Sequence, residues 1–234
     1  MLMNRLVLAL IPARKGSKGL PGKNRSLLLG RPLVDYTLDA AISAPSIDET
    51  WLSSDDEEIL SLGVQRGVRI LRRPDAFASD TASAMDVVDH WLTELPAEVK
   101  AQDPLIVYLQ PTSPLRTAGH IEQCLALLES AKSSCLLSVV EMEKSPYKAF
   151  KIDANGRLES LFDERLSNQR RQDLPKVFLP NGAIYIFGLS DYERRGGFPS
   201  NGSLSFEMSR DDSTDIDDQS DMEKVQRILE KRHG

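Results

Sequence analysis

Short apolar runs alternate along this chain with segments whose apolar residues recur at helical spacing, and no other feature restricts the fold as much. Residues 6–11, Leu-Val-Leu-Ala-Leu-Ile, read as a buried strand. Over 33–42, Leu33, Val34, Leu38, Ala41 and Ile42 repeat on one helix face. Further strands are expected at 50–52, 68–71, 104–109 and 135–140, and further helices at 55–65, 82–95 and 118–131. Residues 104–109 are nearly all apolar, which suits a central parallel strand buried on both faces. Strands alternating with helices predict an α/β fold with a parallel or mostly parallel sheet and helices on both faces. A last strand is expected at 183–187. A last helix is expected at 220–231, with Ser220 and Glu223 as its capping box and Met222, Val225, Ile228 and Leu229 as its apolar stripe.

The alternation fails over 141–180. Pro146, Asn155-Gly156 and Pro175 interrupt a polar stretch, and 163–173 is densely charged. This predicts short hairpins, an excursion within a single domain spanning 1–234. Such a segment buries little by itself, so it either packs on a partner subunit or stays a surface loop.

The formal net charge of -6 gives no sign of the basic face of a nucleic-acid reader, while leaving room for a local basic pocket. Cys124 and Cys135 stand in apolar stretches without metal spacing and read as buried free thiols, in keeping with a reducing compartment. The apolar run 6–11 is too short for a signal peptide, and no run approaches the ~18 residues of a membrane span. The expectation is a soluble, cytoplasmic protein with neither nucleic-acid nor membrane partner.

Ligands of open α/β sheets bind beyond the carboxyl ends of the strands, so the loop after the first strand is placed for chemistry. It reads IPARKGSKGLPGKN over 11–24. Gly16, Gly19 and Gly22 let the backbone approach a ligand, and Arg14, Lys15, Lys18 and Lys23 add four positive charges. Together they suit a polyanion, most simply a nucleoside triphosphate. The loop is not a phosphate-binding G-x-x-x-x-G-K-[ST] motif, because Ser17 stands where its first glycine would be and Asn24 where its hydroxyl would be. Nor does its glycine spacing match a dinucleotide fingerprint. A solvated basic turn is the plain alternative.

The loop resembles the signature of the sugar-acid cytidylyltransferases, and is most similar to that of the acylneuraminate (CMP-sialic acid) synthetases, whose relatives activate legionaminic, pseudaminic and other nonulosonic acids. The similarity recurs in RRPDAFASDTAS at 72–83, LQPTSPLR at 109–116, LPNGAIYIF at 179–187 and DSTDIDDQSDMEKV at 212–225. The resemblance implies a Rossmann-like nucleotidyltransferase fold and a homodimer in which 141–180 reaches the partner's active site.

It also implies roles. Arg14 and Lys23 match the family's catalytic cations, and Ser17, Asn24 and Arg73 its other nucleotide contacts. A lysine at the phosphates neutralises charge that builds on the phosphoryl group and leaving pyrophosphate. Gln110 matches a residue facing the sugar, as does Asn181. Lys148 and Arg171 match excursion cations that approach the neighbouring subunit's sugar carboxylate. Asp215 and Asp217 match metal ligands. In an extended segment an i, i+2 pair projects to one side while Ile216 points inward, and two carboxylates with phosphate oxygens suit Mg²⁺. The neighbouring Asp211, Asp212, Asp218 and Asp221 read as helix-dipole partners.

The implied reaction is attack of a nonulosonic acid's anomeric hydroxyl on the α-phosphorus of CTP, giving a CMP-sugar and pyrophosphate. Asp217 or a metal-bound hydroxide stands as base, since His90, His120 and His233 read as structural or exposed. Alternatives are an eight-carbon ulosonic acid as acceptor, or a non-catalytic nucleotide-binding protein of the same fold. Two departures bear on specificity. Leu179 stands where many acylneuraminate synthetases carry arginine, and Ala84 where relatives often carry serine.

Overall fold

The structure, a computed structural model, describes residues 5–17, 19–79 and 81–233. Lys18, named above, and Asp80, within the motif at 72–83, lie outside the described residues. The described chain opens with β1 (Val7–Pro12), followed by the glycine- and lysine-rich loop and a small hairpin of β2 (Leu27–Leu28) and β3 (Arg31–Pro32). There follow α1 (Leu33–Ile42), β4 (Glu49–Ser54), α2 (Glu57–Gln65), β5 (Arg69–Arg72), α3 (Ala84–Glu94), the short α4 (Ala97–Lys100) and β6 (Leu105–Tyr108). Then come α5 (Ala118–Ala131), β7 (Cys135–Glu141), the hairpin β8 (Phe150–Ile152) and β9 (Leu158–Ser160), and α6 (Glu164–Ser167). The chain closes with β10 (Phe178–Gly188), α7 (Leu189–Arg195), β11 (Leu204–Glu207) and α8 (Gln219–His233).

Seven strands form one sheet in the order β11-β7-β10-β6-β1-β4-β5. β10 alone runs against its neighbours; the other pairings are parallel. The alternation of side chains along β1 accounts for the three layers. Val7, Ala9 and Ile11 pack with Leu38 of α1 and Ile121, Cys124 and Leu128 of α5. Leu8 and Leu10 pack on the opposite face with Val88 and Trp91 of α3 and Tyr192 beyond. Each such side chain removed from water contributes roughly 1.5–3 kcal/mol before entropy is counted.

Three elements differ from the sequence reading. β11 was not anticipated: Leu204 and Phe206 are its only apolar residues, and an edge strand carries a weak pattern. The strand expected at 183–187 is the end of the longer β10, which begins at Phe178 and carries a register break between Pro180 and Tyr185. The final helix starts at Gln219, and its cap is formed by Asp218 and Asp221 rather than by Ser220 and Glu223. The Asp221 amide donates to Asp218 Oδ1 at 3.0 Å, and the Asp218 amide to Asp221 Oδ2 at 3.2 Å. Its stripe is as expected, with Met222, Val225 and Leu229 buried against Leu28, Leu33 and Ile216. Over 141–180 the chain holds the β8–β9 hairpin and one-turn helices, as its composition suggested. Among the described residues no helix is long and apolar enough to cross a membrane.

Candidate active site

A cleft of about 340 Å³ opens at the carboxyl ends of β1, β5 and β6. The β1 loop contributes Arg14, Ser17, Lys23 and Asn24 to its lining. β5 leads into Arg73, β6 into Gln110, and the segment before α8 supplies Asp215 and Asp217. These eight candidate site residues thus meet in one place, from positions as far apart as 14 and 217, and Gly16 and Ala84 line it with them.

The loop is sewn to the end of β4. The Ser54 hydroxyl donates to the Ala13 carbonyl at 2.5 Å, Asp55 accepts from the Lys15 amide at 2.7 Å, and Arg25 pairs with the buried Asp56 at 3.1 Å. Its glycines serve different ends. Gly22 has φ +67 and turns the chain into the Lys23–Arg25 turn. A Cβ on Gly19 would lie 2.3 Å from the Asp217 carbonyl oxygen, so this glycine admits the carboxylate segment rather than a ligand. Only at Gly16 does the missing side chain face open space.

Lys23 is almost buried, and its ammonium donates to the Ile216 carbonyl at 2.6 Å and to Asp217 at 3.3 Å. The Asn24 amide nitrogen donates to the Arg14 carbonyl at 2.8 Å; this leaves Oδ1 as a buried acceptor without a protein partner. Arg73 is buried too, donating to Ser53 Oγ at 3.2 Å and to the Ser53 carbonyl at 2.8 Å. Burial lowers its pKa, opposed by Tyr108 and Asp55, though a guanidinium so placed keeps its charge. Arg14 donates to the Ser79 carbonyl at 3.1 Å and so bridges to the segment before α3.

Ile216 is fully buried and its amide donates to the Thr112 carbonyl at 2.8 Å. This anchors the extended segment so that Asp215 and Asp217 both reach the cleft. Burial raises the Asp215 carboxyl above its ordinary range, and nearby Asp217 adds to this; a hydrogen bond from Thr112 opposes them. Asp215 Oδ1 is buried and has no hydrogen-bond partner among the described residues. A desolvated carboxylate oxygen beside a second carboxylate is a poor arrangement alone and a good one for a hard cation. Among the described residues no third acidic, His or Cys side chain completes a protein cage. The pair therefore suits an ion that takes its remaining oxygens from phosphate and water, as Mg²⁺ does.

Other expected residues lie elsewhere. Asn181 is buried, but its amide donates to Ser213 Oγ at 2.9 Å and its carbonyl accepts from the Ala183 amide at 3.2 Å, within the irregularity of β10. Lys148 and Arg171 are exposed on the excursion and line none of this cleft; Arg171 borders a separate cavity of about 420 Å³ with Ser145 and Leu174. Of the histidines, His90 stacks on Phe77 and His120 accepts from the Thr117 amide to cap α5. Sequence reasoning missed Ser83, Tyr108 and Thr112, which also line the cleft. The capping-box pattern of Ser83 and Asp86 marks the start of α3 and was the available signal. Tyr108 and Thr112 read as core strand and motif filler.

Residues 8–191 match the family described as cytidylyltransferase. The chain is 32% identical over 232 residues to the N-acylneuraminate cytidylyltransferase of Escherichia coli O18:K1:H7 (strain RS218 / NMEC), covering 99% of this chain and 54% of that protein. It is also 32% identical over 229 residues to the pseudaminic acid cytidylyltransferase of Campylobacter jejuni (strain ATCC 700819 / NCTC 11168), covering 97% of each. The chain thus spans about half the length of the N-acylneuraminate enzymes it matches. Among solved structures, a CMP:2-keto-3-deoxy-manno-octonic acid synthetase complexed with CTP superposes with a TM-score of 0.68 at 18% identity, over 97% of this chain and 99% of that one. At that identity the likeness speaks for the nucleotidyltransferase fold alone.

Proposed function

This chain belongs to the cytidylyltransferase family, and we propose that it transfers CMP from CTP to the anomeric hydroxyl of a nonulosonic acid, releasing pyrophosphate. The observation that carries the reading is the single cleft that gathers Arg14, Lys23, Arg73, Gln110, Asp215 and Asp217. The names of its relatives, N-acylneuraminate and pseudaminic acid cytidylyltransferase, supply the substrate class.

Arg14, Lys23 and Arg73 bind the triphosphate, with Ser17 and Asn24 as polar contacts. Asn24 Oδ1, an acceptor without a partner, takes a donor from the nucleoside. Asp215 and Asp217 would hold a divalent cation, Mg²⁺ by preference. Bound there, the cation would polarise the α-phosphate and acidify the attacking hydroxyl. Lys23 neutralises charge on the leaving pyrophosphate. Gln110 orients the acceptor sugar, and Asn181 braces the segment behind it. Asp217, whose side chain is largely exposed, or a metal-bound hydroxide takes the hydroxyl proton.

The chain acts as one catalytic unit over 1–234 in a cytoplasmic homodimer. Residues 141–180 form the arm that brings Lys148 and Arg171 to the partner's acceptor carboxylate. Two observations support an arm with a partner: both cations stand apart from their own cleft, and the hairpin leaves Ile152 and Leu158 exposed.

An eight-carbon ulosonic acceptor is the second reading, since the octonic acid synthetase shares the fold. The nine-carbon relatives share far more of the sequence. A non-catalytic role is disfavoured by the retention of Lys23, Asp215 and Asp217 in one cleft. The test is pyrophosphate release with CTP, Mg²⁺ and a panel of ulosonic acids. Release with a nonulosonic acid is the expected result, and silence with every acid from folded protein overturns the reading. The panel also reads the effect of Leu179, which puts an apolar side chain where many acylneuraminate enzymes carry a cation.

A further inference from the structure

Arg116 is a guanidinium in the core. It is only 2% exposed, and among the described residues no carboxylate lies within ion-pairing distance. Burial pulls its pKa down to about 9, and Nε has no partner. A buried cation of this kind is costly unless its donors are hydrogen-bonded, so its partners matter.

Its partners show what is held. Nη1 donates to two carbonyl oxygens, that of Gln110 at 3.1 Å and that of Ala183 at 2.8 Å, while Nη2 donates to Thr37 Oγ1 on α1 at 2.5 Å. Gln110 belongs to the loop after β6 and lines the cleft; Ala183 lies within the irregularity in β10. These segments, 73 residues apart in sequence, meet again at the side chain. Gly182 has φ +77, and a Cβ there would lie 2.7 Å from Gln110 Oε1. Gln110 is therefore held at its main chain by Arg116 and flanked at its side chain by Gly182. A lysine supplies one donor point and cannot span two carbonyls and a hydroxyl as the planar fork does.

We propose that Arg116 is a positioning residue for the acceptor sugar: by tying the Gln110 loop to the Gly182 turn it sets the Gln110 side chain at its place in the cleft. This rests on the reading of Gln110 as the acceptor-side contact. It differs from a general role in the core, because the nucleotide side of the cleft is held separately by Ser54, Asp55 and Asp56.

The test uses Arg116→Lys, alone and in a Gln110→Ala background, with Gly182→Ala as a second variant that crowds Gln110 from the other side. Steady-state KM is measured for the acid and for CTP. Deuterium exchange is followed over 109–116, 179–187 and 11–24. Arg116→Lys is expected to raise the acid KM about tenfold or more while CTP KM stays within about twofold, since small misplacements of a contact are costly. Exchange should quicken in 109–116 and 179–187 and stay unchanged in 11–24. In the Gln110→Ala background the effect on acid KM should shrink to about twofold or less, as expected of two residues that act as a unit. Gly182→Ala should reproduce the split even if Arg116→Lys fails to fold. Equal rises in both KM values, an undiminished effect without Gln110, or unchanged exchange would each overturn the proposal. If the wild-type protein turns over no acid, the functional reading falls separately, and exchange alone decides whether Arg116 ties the two segments.

Discussion

The Lys23 ammonium lies 3.3 Å from the Asp217 carboxylate and 2.6 Å from the carbonyl of Ile216, which joins the cationic loop after β1 to the acidic segment before α8. The two segments that the proposed function assigns to the triphosphate and to a metal are thus linked by one side chain.

Lys23→Ala removes the cation proposed to meet the phosphates and takes a donor from the Ile216 carbonyl. Turnover should fall about 10²-fold or more, the scale of losing one well-placed electrostatic contact. Loss of that donor should cost about 1–3 kcal/mol in stability. Pyrophosphate release and urea denaturation read the two separately. Near-normal turnover would remove Lys23 from its assigned role.

Gly19 and Gly16 give a contrast within one loop. An added methyl at Gly19 meets the Asp217 carbonyl oxygen at 2.3 Å, whereas at Gly16 nothing lies within 4 Å. Gly19→Ala should cost ~1–3 kcal/mol and displace Asp217, lowering turnover with it. Gly16→Ala should stay within about 0.5 kcal/mol of wild type. Equal behaviour of the two variants in thermal unfolding and turnover would contradict the packing described here.

The layers were legible in the sequence because β1 and β6 are apolar without interruption and α1 and α5 carry clean helical stripes. β11 and the reversed direction of β10 were not, since neither edge position nor strand direction leaves a local mark. The cleft was legible where residues carry charge or glycine, as at Arg14, Lys23 and Asp215. Tyr108 and Thr112 were hidden because their place depends on how β6 ends. The division of labour among the three glycines was likewise invisible: only the fold brings Gly19 against Asp217.

Asp215→Asn and Asp217→Asn test the metal pair. Each removes a hard oxygen charge, so the Mg²⁺ needed for half-maximal turnover should rise about tenfold or more, with CTP affinity in the absence of metal little changed. Isothermal titration with Mg²⁺ and CTP, alone and together, reads this without relying on turnover. A chelator should abolish activity, and Mg²⁺ should restore it. Full activity in the chelator would exclude the pair from metal binding.

Cys124 is fully buried, and burial pushes its thiol from 9.0 up to about 12. The unfolded chain then gives up this proton at lower pH than the folded one. The associated stability is complete below pH 9 and falls as pH rises from there toward 12. Native protein at pH 8 should leave this thiol unreactive toward a thiol reagent until denaturant is added. Rapid labelling of Cys124 in native protein would show that the α5 face is more open than described.

The excursion carries its own argument for a dimer. In the β8–β9 hairpin Ile152 stands opposite Leu158, and Phe150 lies two residues along the same strand, so all three share one face. Lys151 and Glu159 pair at 3.3 Å on the other face. The apolar face is uncovered: Ile152 is 72% exposed and Leu158 68%. An isolated two-stranded hairpin is marginal in water, and a contiguous apolar face marks an interaction surface. A second copy of the chain covering it would also bring Lys148 and Arg171 to a cleft they do not reach in their own. In the proposed dimer Leu158→Asp would bury a charge at that contact, so light scattering should show dimer giving way to monomer. Turnover should fall with it through a raised KM for the acid, while CTP binding persists, because every residue proposed to hold the nucleotide lines the cleft of one chain. A wild-type monomer at working concentration, or a Leu158→Asp variant that remains dimeric with unchanged KM, would assign the hairpin no part in the site.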